Sequence, residues 1–179
     1  MLPIGPLMIE HRLIERMIKV IEVELEAIQT KKEEDPAQVE RIIHFIRVYA
    51  DRCHHGKEED ILFRELDRKA IAPEHKRMMD ELVDDHKLGR MITLSLEEAN
   101  RRYQNGDPAA LSAIADGLGR LVEFYPKHIE KEDKNFFIPI MGYFSNEEKE
   151  AMIRKGYESD SRLIHEEYAD LVKSLELKK

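Results

Sequence analysis

Two short segments of this chain occur twice, in the same order and at nearly one offset. LMIEHRL at residues 7–13 returns as LVDDHKL at 82–88, and HHGKEEDILF at 54–63 returns as HIEKEDKNFF at 128–137. A pair of segments repeated in this way folds most simply as two similar units related by a pseudo-twofold axis. Composition says what the units are made of. Charged residues are 37% of the chain, against 8 glycines and 7 prolines in 179 positions, a balance that suits long solvent-faced helices rather than strands and turns.

Five helices are expected. The first runs from about Leu7 to Lys31, with Ile9, Leu13, Met17, Val20, Val23 and Ile28 recurring at helical spacing. Asp35-Pro36 and Asp107-Pro108 each offer an N-cap followed by a proline at the first helical position, which starts helices two and four. Ala72-Pro73 starts the third and Asn105-Gly106 ends it. Ser145 with Glu148 forms a capping box that opens a fifth helix reaching about Leu175. Short connections force antiparallel neighbours, so the reading is one all-α domain. It is an up-down-up-down four-helix bundle over about residues 5–140, with an additional C-terminal helix over about 145–176. The apolar face of that helix (Met152, Tyr157, Leu163, Ile164, Leu171, Leu175) suits covering the bundle or a partner, a second copy forming a homodimer included.

Several classes of function fall away. A single cysteine, Cys53, cannot form an intramolecular disulfide, which points to a reducing, cytoplasmic setting. The N-terminal segment lacks the charged leader of an exported chain, and no stretch approaches the roughly 20 apolar residues of a membrane span. A net charge of -8 without any Lys/Arg block argues against nucleic acid.

The repeat singles out His11, His54, Glu58, His86, His128 and Glu132 from 8 histidines and 37 acids. His and Glu four apart share one helix face, close enough to reach one metal or a bridged pair. The four histidines lie 18–20 residues from the tight turns at one end of the bundle. At 1.5 Å per residue that sets them at one level, roughly 27–30 Å below that end, with the glutamates about a turn lower. Unrelated surface histidines have no reason to align so. His55 and Glu59 share the H-x-x-x-E spacing but are turned about 100° from His54, and the repeat sets Ile129 against His55, so this pair stays an open alternative. Asp133 is an alternative to Glu132. His44 and His75 lie about 16 Å up the axis, out of reach of a shared metal. His165, Tyr49 and Tyr125 are further neighbours whose simplest roles are surface exposure and packing. Gly56 inside helix two points to a close helix contact, and Pro126 to a kink that aims helix four.

A lone His on helix one, His54-HGK-Glu58 on helix two, a lone His on helix three and His128-IEK-Glu132 on helix four together resemble the hemerythrin-like, or HHE cation-binding, domains. The resemblance covers roughly residues 5–140. It implies a four-helix bundle around two non-haem iron ions, with room for an oxo, hydroxo or water bridge, the histidines as terminal ligands and Glu58 and Glu132 as bridges. The chain departs from the oxygen-carrying hemerythrins on helix three: they have a second histidine four residues from the first, whereas Leu82 and Arg90 flank His86 here. The centre is therefore expected to be one histidine short, which favours binding, sensing or reducing a small oxidant (oxygen, nitric oxide or peroxide), or iron handling and repair, over reversible oxygen storage. The competing class is a metal-stabilised helical interaction or regulatory module without catalysis. A ferritin-like oxidase needs Glu-x-x-His pairs, and the chain has none.

Overall fold

A computed structural model describes residues 2–32, 34–160 and 162–177, without the side chains of Arg162 and Leu163. Every regular element among them is helical. We number six rods: α1 (Ile4–Lys31), α2 (36–66), α3 (Pro73–Gln104), α4 (110–140), α5 (Asn146–Ser159) and α6 (Arg162–Glu176).

Most expected boundaries follow from their caps. The Asp35 side chain accepts from the Ala37 amide ahead of Pro36, α3 starts at Pro73 and ends before Gly106, and Ser145 and Glu148 close a reciprocal capping box. Two boundaries move. Asp107 does accept from the Ala109 amide at 3.1 Å, but Pro108 sits in a turn and regular helix begins at Ala110. The expected single C-terminal helix is broken after Ser159. Asp160 is extended (φ -86°, ψ 122°), and Ser and Asp side chains compete for backbone hydrogen bonds, so this stretch favours a helix end.

Helix α2 is not uniformly α. Pro36–Phe45 is α-helical, Ile46–His55 and Glu58–Phe63 are π-helical with i→i+5 bonds, and Arg64–Leu66 returns to α. In α4, Ala110–Glu130 continues through Pro126, and the wide turn comes afterwards at Lys131–Phe136. The expected Gly56 helix contact is absent, since a side chain there would meet only the Asp51 carbonyl at 3.9 Å. The close approaches lie elsewhere: a Cβ on Gly117 would stand 3.1 Å from Leu96, and one on Gly89 3.2 Å from Phe124, which brings α3 and α4 tightly together.

Helix α4 packs along α1 and α3, and α2 touches both α3 and α1, so the four rods close a ring. Two apolar cores fill it. The larger contains Leu13, Met17, Ile42, Ile46, Leu96 and Leu118, and the smaller Ile4, Leu7, Leu62, Leu82, Phe136 and Phe137. On α1, Ile9 and Val23 face outward, against expectation, while Glu10, His11 and Glu24 are buried. Helix α6 covers the bundle with Tyr168, Val172 and Leu175, and Met152 of α5 joins the smaller core. Tyr157 is exposed, and Leu163 lies outside the described side chains. No helix among the described residues is long and apolar enough to cross a membrane.

Candidate metal centre

Between the two apolar cores lies a polar layer. His11, His54, His86, His128, Glu58 and Glu132, the six residues selected by the repeat, are all at most 2% exposed. His55 joins them, also 2% exposed, its ring stacked on His86 with centroids 3.9 Å apart. In an α-helix adjacent residues point about 100° apart, but the wide turns of α2 bring His54 and His55 to one cavity. The layer thus holds a fifth imidazole, carried by the neighbouring helix rather than at Leu82 or Arg90.

Seven side chains converge there without partners for the atoms they turn inward. Among the described residues, no hydrogen bond satisfies the Nε2 of His11, His54, His55, His86 or His128, nor either oxygen of Glu58 or Glu132. The oxygens of each glutamate face two sides. Glu58 Oε1 lies 3.4 Å from His54 Nε2 and its Oε2 lies 3.3 Å from His86 Nε2. Glu132 Oε2 lies 3.2 Å from His11 Nε2, and its Oε1 lies 3.4 Å from His128 Nε2 and 3.7 Å from His86 Nε2. These pairs lack hydrogen-bond alignment. Two groups of donors, each within 4.8 Å of one another, result: His11, His54, Glu58 and Glu132, and His55, Glu58, His86 and His128. A buried polar atom without a partner costs on the order of 1–3 kcal/mol, and seven such side chains at one point make sense if a cation satisfies them.

The other face of each imidazole is held. With Nδ1 protonated, His11 donates to Asp133 at 2.8 Å, His54 to Glu10 at 2.9 Å, His86 to Glu59 at 2.7 Å, His55 to Asp51 at 3.4 Å and His128 to Asp85 at 3.5 Å. Carboxylates of this kind fix the ring and leave Nε2 free to ligate, the usual support of a metal-binding histidine.

Residues 2–138, which carry this layer, match the family model described as hemerythrin HHE cation binding domain. The chain belongs to that family. No curated protein and no solved structure matches it.

Within this HHE domain the supporting carboxylates obey the same repeat as the ligand candidates. Glu10 and Asp85 each precede a lone histidine yet serve the histidine of the next helix. Glu59 and Asp133, each following the glutamate of an H-x-x-x-E pair, serve the lone histidines across the bundle. Sequence reasoning missed this role for all four, although their matching places in the repeat carried the signal. Asp133 is therefore not an alternative to Glu132, and Glu59 is not idle: it binds both His86 and Arg90. His44 and His75 stay outside the layer, bonded to Tyr168 and Tyr143. Tyr49 donates toward His165, and Tyr125 is buried beside His55.

The charges are mutually dependent. Burial works against protonation of His11 and His86, but Asp133 and Glu132 raise His11 to about 10, and Glu132, Glu58 and Glu59 raise His86 to about 11. Burial and the neighbouring His86 and His128 hold His55 well below its ordinary value. Burial opposes ionisation of Glu132 as well, yet His128, His11 and His86 keep it ionised far below the usual carboxylate range. Without metal, protons on His11 and His86 are what compensate the buried Glu132 carboxylate.

Proposed function

We propose that this HHE domain is a non-haem di-iron protein that binds or reduces a small oxidant such as oxygen, nitric oxide or peroxide. In this reading the first four rods run up, down, up, down, and carry His11, His54, Glu58, His86, His128 and Glu132, now with His55, as iron ligands. The observation that supports it is the set of five unpartnered imidazole nitrogens around two straddling carboxylates, each ring braced from behind by its own acid. Five nitrogens and four carboxylate oxygens exceed what tetrahedral zinc uses, and suit two ions of higher coordination number.

When bound, iron would supply reversible electron transfer and Lewis acidity at open positions. The chain supplies everything else. His55, His86 and His128 crowd one side, whereas His11 and His54 alone face the other, so the side with fewer donors has room for a small ligand. Phe137 stacks on His11 at 5.7 Å and Phe63 on His86 at 5.9 Å, so apolar rings flank the donors. Cys53 does not compete as a thiolate: burial chiefly, with Glu10 and Asp160, pushes it up to about 12.

Anaerobic reconstitution with ferrous iron, followed by elemental analysis, tests the reading. About two irons per chain and oxidation of the reduced protein by one of these oxidants are expected; one equivalent of zinc with no iron uptake would sink it.

A further inference from the structure

The pseudo-twofold extends one layer beyond the carboxylates and is broken there. Lys57 bonds Glu10, which holds His54; Lys131, at the equivalent place in the repeat, bonds Asp85 at 2.7 Å, which holds His128. The two lysines live differently. The Lys131 side chain is 30% exposed and borders an open groove with Asp85, Arg120 and Lys127, whereas that of Lys57 is 5% exposed. What covers Lys57 is the junction of α5 and α6, which lies beyond the family match. Asp160 there accepts from Lys57 with both oxygens, at 2.9 and 3.0 Å, and its Oδ2 also lies 3.0 Å from His165 Nε2. Glu10, Cys53, Asp160 and His165 stand close enough to hold a cation of their own, but the Lys57 ammonium already serves both acids.

We infer that the α5–α6 junction is a positioning device for one side of the metal centre, with Asp160 acting through Lys57 and Glu10 on His54. The inference rests on the di-iron reading. Asp160 divides the Lys57 charge between two carboxylates. Without it the whole ammonium bears on Glu10, which then accepts the His54 Nδ1 proton less strongly, and His54 becomes a poorer donor to a ferric ion. Loss of a nearby negative charge works in the same direction. On the equivalent path Lys131 meets its second acid, the exposed Glu81, only at 4.0 Å, so the two halves of a symmetric sequence present unequal sides to the metals.

The test uses the full chain reconstituted with iron, in wild type, Asp160→Asn, Asp160→Glu and Arg16→Gln. Arg16 ties α6 to α1 through Glu176 at 2.8–3.0 Å, so its loss loosens the same helix without touching the path to His54. Iron content, visible absorption and midpoint potential are read for each. Partners behind a ligand change metal affinity 10- to 100-fold. For a residue one step further out we expect about tenfold in the ferric-to-ferrous affinity ratio, a rise in potential of about 59 mV for a one-electron step. Asp160→Asn should show it with two irons retained, Asp160→Glu should restore the wild-type value, and Arg16→Gln should leave it unchanged. An unshifted potential in iron-loaded Asp160→Asn overturns the inference, as does an equal shift in Arg16→Gln, or loss of iron in Asp160→Asn that Asp160→Glu fails to restore. A wild-type chain that takes up no iron instead refutes the di-iron reading itself.

Discussion

Replacing His55 by leucine should move the metal-free and metal-loaded proteins in opposite directions. In the metal-free chain His55 is buried, its Nε2 has no partner, and its Nδ1 makes only a long bond of 3.4 Å to Asp51. Leucine of similar size removes an unsatisfied atom worth about 1–3 kcal/mol and forfeits a weak bond worth about 1 kcal/mol, leaving a gain of up to about 2 kcal/mol. Asp51 loses nothing essential, since Arg90 holds it at 2.8 Å. For a chain of this length the gain corresponds to a melting temperature higher by up to about 8 °C after chelator treatment. The loaded protein should suffer instead. A partner merely behind a ligand is worth 10- to 100-fold in affinity, so a direct donor should be worth at least about 100-fold at the position shared with His86 and His128. Calorimetry with and without chelator, paired with iron retention against a competing chelator, reads both effects. Full retention of two irons in His55→Leu would show that His55 is a packed core histidine and that α2 presents His54 alone.

Replacing Glu58 or Glu132 by alanine should remove a carboxylate shared by both donor groups and bring iron content below about one per chain, by elemental analysis; unchanged content would mean they do not bridge. Glu59→Gln should weaken iron retention roughly 10- to 100-fold through His86, and an unaffected variant would reduce the Glu59 contact to a surface ion pair. His86→Ala should lose at least half the metal, whereas His44→Ala and His75→Ala, whose rings bond Tyr168 and Tyr143, should load fully. The metal-free chain should become less stable as pH rises. His11 and His86 have folded values raised to about 10 and 11, so their contribution is complete below their unfolded value of about 6.5 and is lost as pH climbs through the raised ones. Urea midpoints of chelated protein at pH 6.5 and pH 9 check this, and an equal or higher midpoint at pH 9 contradicts it.

The bundle was legible because caps and periodicity are local: Asp35-Pro36, Ala72-Pro73 and Ser145 with Glu148 each act within a turn of their own position. The six repeated ligand candidates were legible for a different reason, since a repeat displays pairs of positions that do the same work. What stayed hidden depended on geometry that 3.6-residue counting does not describe. His55 ranked only as an alternative because of a 100° rotation that holds for an α-helix and fails for the wide turns of Ile46–His55. Ile9 and Val23 were placed inside because they are apolar, although buried Glu10 and His11 show that the inner face of α1 is chosen by the polar layer. The bracing acids were invisible individually, because an acid beside a histidine in an acidic chain is ordinary until the partner on another helix is known. The break at Asp160 has the same origin: the residue is fixed by Lys57, 103 positions away.

A turn closed by i→i+5 bonds holds one more residue than an α turn between the same flanks, and this changes what an insertion means for α2. In a regular helix an added residue rotates everything beyond it by about 100° and carries the apolar face out of the core. Here Ile42 before the wide turns and Ile46 at their start reach the larger core, and Leu62, Phe63 and Leu66 at their end reach the smaller one. The surplus length is absorbed at the level of the histidines, where adjacent side chains share one cavity. A helix built this way can gain a donor by lengthening rather than by substitution, a route closed to a straight rod.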